Sequence, residues 1–459
     1  MGNPTAFHRT SRGATRASVR PRGRHALSRR SVLAGGFGLG AAGVLAACGG
    51  QTAASSSGNA SSGGGPVRFA WWGNDYLNRQ TDEVIAAYLA QHPDATIDGE
   101  PGQWGSYWDR LATQAAAGDE PAIINMDQKY ISEYGGRGIL ADLRAVDGLD
   151  LGTVSAGALE AGTVGGTLYG ISTGQNSYCV LANRAVFADA GVDLPDDTTW
   201  TWEDYARIAR EIQASRADTV GTVYGVNEAY LVTWLRQHGE DLYSADGGLG
   251  YRTRTLTEMF AYLLDLMDTE AGLGAAGAAE EQGVPLEQSA FGTNKAGMTW
   301  SWANQFSSFA ATTGSDLVML RPPSAAGAAA ENGAYFKPTM FWSLGAGAAS
   351  NPTAVSFLDF LVNDPEAAAI LRVDRGAPAN SATEDAVMDV LEAPDRAFLD
   401  FMSEIEPEIA GTPVVPPQGS SDAQNVLSRH LEQVLFKQAS PAQAAEAFTA
   451  EVAGMIESA

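Results

Sequence analysis

From Val67 onward the chain alternates strand-like and helix-like segments, and this alternation restricts its fold more than any other feature. Val67-Arg68-Phe69-Ala70-Trp71-Trp72 reads as a short strand ending at Gly73-Asn74. Thr81 to Ala90 then places Val84, Ile85, Tyr88 and Leu89 at helical spacing and stops at His92-Pro93. Ala95 to Ile97 reads as a second strand, Tyr107 to Ala117 as a second helix and Ala122 to Met126 as a third strand. Such units give a parallel sheet flanked by helices, with ligands near the C-terminal strand edge. Trp72 to Asp75 and Asn125 to Gln128 fall at that edge.

A second series begins near Ser177. Tyr178 to Asn183 is strand-like, and Val186 to Ala190 is helical and closes at Gly191. Thr201-Trp202-Glu203-Asp204 opens another helix, with Thr201 as cap and Asp204 as the answering residue. The stretch 271–288 reads as a breaker-rich loop or insertion, 325–330 as a low-complexity loop and 352–361 as helix. No GxGxxG follows the first strand and no GxxxxGK[ST] occurs, so nucleotide binding has no support.

Charge is distributed unevenly along the 459 residues. Positions 1–47 hold eight arginines and no acidic residue, which leaves 21 basic against 54 acidic side chains, about −33, in the remainder. A body of that charge repels nucleic acid and anionic lipid surfaces. Two cysteines, Cys48 and Cys179, cannot build a disulfide framework, and Cys179 lies in an apolar strand as a small core residue. Only His92, His238 and His430 lie beyond the leader, none with a metal-ligating neighbour at helical spacing, so no metal and no His-based triad is expected.

The N-terminal stretch SRRSVLAGGFGLGAAGVLAACGGQ orders two arginines, a 16-residue apolar run and small residues before Cys48. The run is shorter than the ~20 apolar residues of a membrane span. The order is that of an export signal, residues 1–47. Ser28-Arg29-Arg30-Ser31-Val32-Leu33 resembles the twin-arginine motif, and Leu45-Ala46-Ala47-Cys48 resembles a lipobox, which makes Cys48 the expected lipidated first residue. Residues 48–66, dominated by Gly, Ser and Ala, then form a flexible tether. The expected location is the outer face of the cell membrane, held by the lipid alone.

The segments FAWWGNDYLNRQTDEVIAAYLAQHPD, WDRLATQAAAGDEPAIINMD, YISEYGGRGILADL, LYGIS, LANRAVFADAGVDLP with TWTWEDYARIA, AFGTNKAGMTWSWANQF and RGAPAN occur in this order. Together they resemble the extracellular solute-binding proteins of ABC importers, in the sugar-binding branch that includes maltose-binding protein. Two positions depart from the pattern: Pro121-Ala122-Ile123 replaces the usual Pro-Asp-Ile, and Ala182 replaces the aromatic before the asparagine. The resemblance implies two α/β lobes joined by a multi-strand hinge, with the ligand cleft between them. One lobe is expected over 67–175 plus 288–338 and the other over 176–287 plus 339–459. Crossings are expected near Ser172-Thr173-Gly174, Ser289-Ala290-Phe291 and Lys337-Pro338.

A sugar site needs aromatic plates for C–H faces and amide or carboxylate groups for hydroxyls. Mapped onto the family's cleft, the candidate ligand residues are Trp72, Asn74, Asp75, Trp104, Asp127, Gln128, Gln175, Asn176, Tyr230, Trp302, Asn304, Trp342 and Arg375. Gln103, Tyr107, Trp108, Asn227, Glu228, Trp300 and Gln305 lie in the same segments. Trp71, Trp200 and Trp202 are read as core, and Trp234 as equally suited to core or cleft. The expected function is a lipid-anchored, monomeric carbohydrate receptor that delivers a sugar, most simply an oligosaccharide, to ABC permease subunits by hinge closure, with no cofactor, no nucleic acid and no catalysis. The alternatives are an exported glycoside hydrolase using two of Asp75, Asp127 and Glu228, or the same fold binding a polyamine or other non-sugar solute.

Overall fold

A computed structural model describes residues 66–459 except 217, 410 and 412. The expected export signal, Cys48 and the tether up to residue 65 lie outside the described residues.

β1 (Val67–Trp72) is covered on both faces, as its near-continuous apolar sequence requires. Val67, Phe69 and Trp71 join one core with Ile123, Trp342 and Phe357. Ala70 and Trp72 turn to the other side, against Tyr107, Trp108 and Met126. β2 (Ile97–Gly102) and β3 (Ile123–Met126) flank β1 in parallel. The second strand is thus 97–102 rather than 95–97. Pairing along the full length of β1 recruits the polar run Asp98–Glu100, and the edge position tolerates Pro101. β13 (Phe341–Leu344) then runs antiparallel to β3, and β6 (Ile171–Ser172) antiparallel to β13. The sheet order is β2-β1-β3-β13-β6. A small hairpin, β4 (Thr163–Val164) with β5 (Thr167–Leu168), completes the strands of this lobe.

The second sheet is β11-β8-β10-β9, from β8 (Tyr178–Asn183), β9 (Val220–Val223), β10 (Ala296–Trp302) and β11 (Leu317–Leu320). Here β10 pairs parallel with β9 and antiparallel with β8. Both sheets are therefore mixed rather than purely parallel. The helix at Trp202–Ser215 starts on the expected Thr201/Asp204 capping box. Helices at 393–405, 423–435 and 441–457 close this lobe's core. Cys179 is buried there, and burial holds its thiol well above its ordinary pKa. The expected loop at 271–288 contains a short helix, Ala275–Glu281.

Lobe membership differs from the expected partition. β10 and β11, expected in the first lobe, pair with β8 in the second (Trp302↔Tyr178, Leu320↔Val180). β13, expected in the second lobe, pairs with β3 in the first (Leu344↔Ile123), and the helix Pro352–Asn363 shares that lobe's core. Ser289–Phe291 is no crossing: Phe291 packs in the second lobe with Cys179 and Leu181. Pairing between strands more than 100 residues apart decides membership, and local motif order does not reveal it.

Three segments cross between the lobes, at 173–177, 336–340 and 374–379. β7 (Gln175–Asn176) pairs with β12 (Lys337–Pro338), and Gln175 also bridges Ala377. Thr173 Oγ1 donates to the Arg375 carbonyl at 2.5 Å, and Asn304 Nδ2 donates to the Asp374 carbonyl at 2.5 Å.

A candidate ligand cleft between the lobes

Strand ends deliver the first lobe's side of the cleft. After β2, the chain turns into α2 (Trp104–Ala117), so Trp104 projects from the helix start. After β3, Asp127 caps α3 (Gln128–Gly136) by accepting from the Lys129 amide at 3.0 Å. This cap places Asp127, Gln128 and Lys129 together at the sheet's C-terminal edge. The second lobe answers with Asn227, which caps the helix Glu228–Arg236 by accepting from Tyr230 N, and with Trp302 at the end of β10. Asp241, Leu242, Tyr243, Tyr335, Lys337, Pro413, Val414, Pro416 and Gln424 complete a cleft of about 630 Å3, counting its open mouth.

Trp104 stands on an aromatic base: Trp72 meets it edge-on at 5.1 Å and Trp108 at 5.4 Å. Trp302 is likewise fixed by Tyr178 at 5.1 Å. A lysine ammonium lies over each plate, Lys129 Nζ 4.7 Å from the Trp104 ring centre and Lys337 Nζ 4.7 Å from that of Trp302. Each cation also meets a carboxylate. Lys337 pairs with Asp127 at 3.1 Å, Lys129 with Glu228 at 3.6 Å, and Arg236 with Asp241 at 3.1 Å. Burial pushes the Glu228 carboxyl above its ordinary range, with Lys129 pulling the other way. Burial likewise raises Asp241 against the pull of the Leu242 amide and Arg236. Glu228 Oε1 and the Tyr243 hydroxyl are buried in the cleft wall without a hydrogen-bond partner. Such groups fit ligand hydroxyls.

Of the sequence-derived candidates, the structure gathers Trp104, Asp127, Gln128 and Trp302 in this cleft. Trp72 lies behind Trp104 rather than in the lining, because the aromatic cluster at the start of α2 covers it. Asn74 is consumed as the cap of α1 (Asp75–Gln91), accepting from Leu77 N at 2.9 Å. The exposed Asp75 donates its amide to Glu287. Gln175 is exposed on the hinge ribbon. Asn176 and Asn304 bond to each other at 2.6 Å beside the hinge. Tyr230 is 1% exposed in the second lobe's core against Trp202 and Trp300, since the buried side of its helix faces inward. Trp342 lies in the first lobe's core, edge-on to Phe69. Arg375 covers Trp342 at 4.9 Å and donates to Thr81 Oγ1 at 2.7 Å, and burial lowers its pKa to about 10. Trp71, Trp200, Trp202 and Trp234 are all core.

Residues 74–368 match the family of bacterial extracellular solute-binding proteins. This chain belongs to that family. The solute-binding protein is 26% identical over 134 residues to an uncharacterized lipoprotein of Streptomyces antibioticus, covering 29% of this chain and 30% of the relative. It is 26% identical over 102 residues to the arabinooligosaccharide-binding protein of Halalkalibacterium halodurans, covering 22% of each. These alignments thus span less than a third of either relative. The fold matches the periplasmic oligogalacturonide-binding protein of Yersinia enterocolitica, solved with saturated digalacturonic acid, at a TM-score of 0.75. That match has 19% identity and covers 86% of this chain and 99% of the other.

Several cleft residues of this solute-binding protein escape sequence reasoning. Lys129 follows the Asp127-Gln128 pair at the same strand end, which was the available signal. Lys337 sits in an expected crossing but reads locally as a solvated lysine. Asp241, Tyr243, Tyr335 and the 413–424 stretch carry no local pattern and enter the cleft through tertiary packing. Among the described residues no three His, Cys, Asp or Glu side chains gather as a metal site, and no helix is long and apolar enough to cross a membrane.

Proposed function

We propose that this protein is a carbohydrate receptor of an ABC importer, exported and anchored through a lipidated Cys48, that closes about its hinge on an oligosaccharide. The observation that carries the ligand class is the pair of tryptophan plates, Trp104 and Trp302, contributed by opposite lobes to one cleft. Asp127, Gln128, Asn227 and Glu228 line the same cleft and offer acceptors and donors to hydroxyls. Two plates set on different lobes suit a ligand of more than one ring. The arabinooligosaccharide-binding relative and the digalacturonate-bound structural neighbour support the same class. The lipoprotein relative supports the anchor. Hydrolysis has less support, because Asp127, Glu228 and Asp241 each face a cation of the protein itself, whereas a glycosidase needs a carboxyl pair free to act on the substrate.

A thermal-shift panel of mono- and oligosaccharides tests this function. A ligand at 100 times its dissociation constant stabilises the fold by about 2.7 kcal/mol. Stabilisation by oligosaccharides, without release of reducing ends on long incubation, is the expected result. Stabilisation by a polyamine alone, or turnover of the sugar, contradicts it. Mass spectrometry of the mature protein should find a diacylated or triacylated Cys48 as first residue.

A further inference from the structure

We propose that Lys129 couples sugar stacking in the cleft to closure of the lobes, an inference that rests on the receptor function above. Lys129 is 7% exposed at its side chain and belongs to the first lobe. Its ammonium lies over the ring of its own lobe's Trp104 and donates to Gln424 Oε1 of the second lobe at 2.8 Å. It also faces Glu228 Oε2 of the second lobe at 3.6 Å. One side chain therefore touches the plate on one lobe and two acceptors on the other.

The neighbouring turns of α3 reinforce this contact. Gln418 Nε2 donates to the Ser132 carbonyl at 3.3 Å, and Ser421 Oγ donates to Glu133 Oε2 at 2.5 Å. Gln418 approaches so closely that a Cβ at Gly136 would stand 2.0 Å from its amide nitrogen. Lys129 is thus the cleft end of a clasp that runs along α3.

A sugar ring stacked on this face of Trp104 would compete for the space over the ring that the ammonium holds, 4.7 Å from the ring centre. The two exclude one another on that face. A displaced ammonium keeps its Gln424 bond but gives up the attraction of the ring, which only a second acceptor can restore in a buried site. Glu228 supplies one. The present 3.6 Å separation is longer than the roughly 2.7–2.9 Å of a charge-assisted hydrogen bond, and Glu228 Oε1 has no partner. Stacking therefore drives the ammonium off Trp104 and toward Glu228, and shortens a bond that joins the lobes. The ligand gains differential affinity for the closed arrangement, which is what a ligand-driven closure requires.

The test uses Lys129→Met, Lys129→Arg and Gln424→Ala in the mature protein, with arabinotriose and maltotriose as probes. Met keeps the apolar stem over Trp104 and removes the charge, while Arg keeps both the charge and the reach. In small-angle scattering without sugar, Lys129→Met and Gln424→Ala should be more expanded than wild type, and Lys129→Arg should match it. For whichever trisaccharide binds, Lys129→Met should weaken binding at least about tenfold, the loss expected for a hydrogen bond to a charged group. Lys129→Arg should recover most of that loss, and melting temperatures should stay close to wild type. Wild-type scattering or wild-type affinity in Lys129→Met would overturn the proposal. Failure of both trisaccharides on wild type would count against the receptor function for those sugars, and the scattering comparison would then decide the role of Lys129 alone.

Discussion

Asp374 stands where the third crossing leaves the first lobe, 1% exposed, with its Oδ2 accepting from Gln80 Nε2 at 2.7 Å. Burial raises its pKa to about 7, opposed by the Gln80 bond and helped by Asp395, while Arg372 and Arg375 pull it down. The unfolded chain titrates near 3.9, so the folded state holds this proton more tightly. Its contribution to stability is present at pH 4 and is lost as the pH rises through 7. Asp374→Asn keeps the Gln80 contact without the charge. Relative to wild type, the variant should gain stability by up to a few kcal/mol between pH 4 and 8 in denaturant titrations. An identical pH dependence in the two proteins would contradict the assignment. At the same scale, Tyr230 carries a buried hydroxyl without a partner, deep in the second lobe. Tyr230→Phe should leave sugar affinity unchanged in titrations and should not lower the melting temperature.

At the level of elements, the hinge depends on a close backbone approach. A Cβ at Gly174 would meet the Ala377 carbonyl oxygen at 2.3 Å and the Gly376 carbonyl carbon at 2.7 Å, and neither backbone group can give way cheaply. Gly174→Ala should therefore cost about 1–3 kcal/mol in denaturant unfolding. It should also speed amide exchange at Gln175 and Ala377, which bond to each other across two crossing segments. Exchange no faster than wild type would show that the hinge absorbs the methyl group. Elements of this kind were legible in sequence where the pattern is local: β1, the body and end of α2, β8 and the Thr201/Asp204 box follow from neighbouring residues alone, although α2 starts at Trp104, one turn before the expected Tyr107. The placement of β10, β11 and β13 was not, because their partners lie 100–220 residues away. The same holds for the cleft. Trp104, Asp127 and Gln128 follow strand ends and could be read from sequence. An aromatic near a strand end serves a core equally well, as Tyr230 and Trp342 do, and a lysine ordinarily signals solvent rather than a plate.

At the scale of the whole molecule, two mixed sheets and three crossing segments leave a cleft lined by both lobes, and an acidic body surrounds it. The cleft's ionised groups neutralise one another in pairs, so a neutral ligand, as proposed, would enter without leaving a buried charge unpaired. In the proposed binding mode the two plates would supply stacking area, and the orphaned Glu228 Oε1 and Tyr243 hydroxyl polar contacts. The most direct measurement is calorimetric titration of the mature protein with the oligosaccharide that stabilises it most, on wild type, Trp104→Ala and Trp302→Ala. Saturable one-to-one binding by wild type is predicted, weakened at least about tenfold by either substitution at an unchanged melting temperature. Wild-type affinity in both tryptophan variants, or no saturable sugar binding by the wild-type protein, would contradict it.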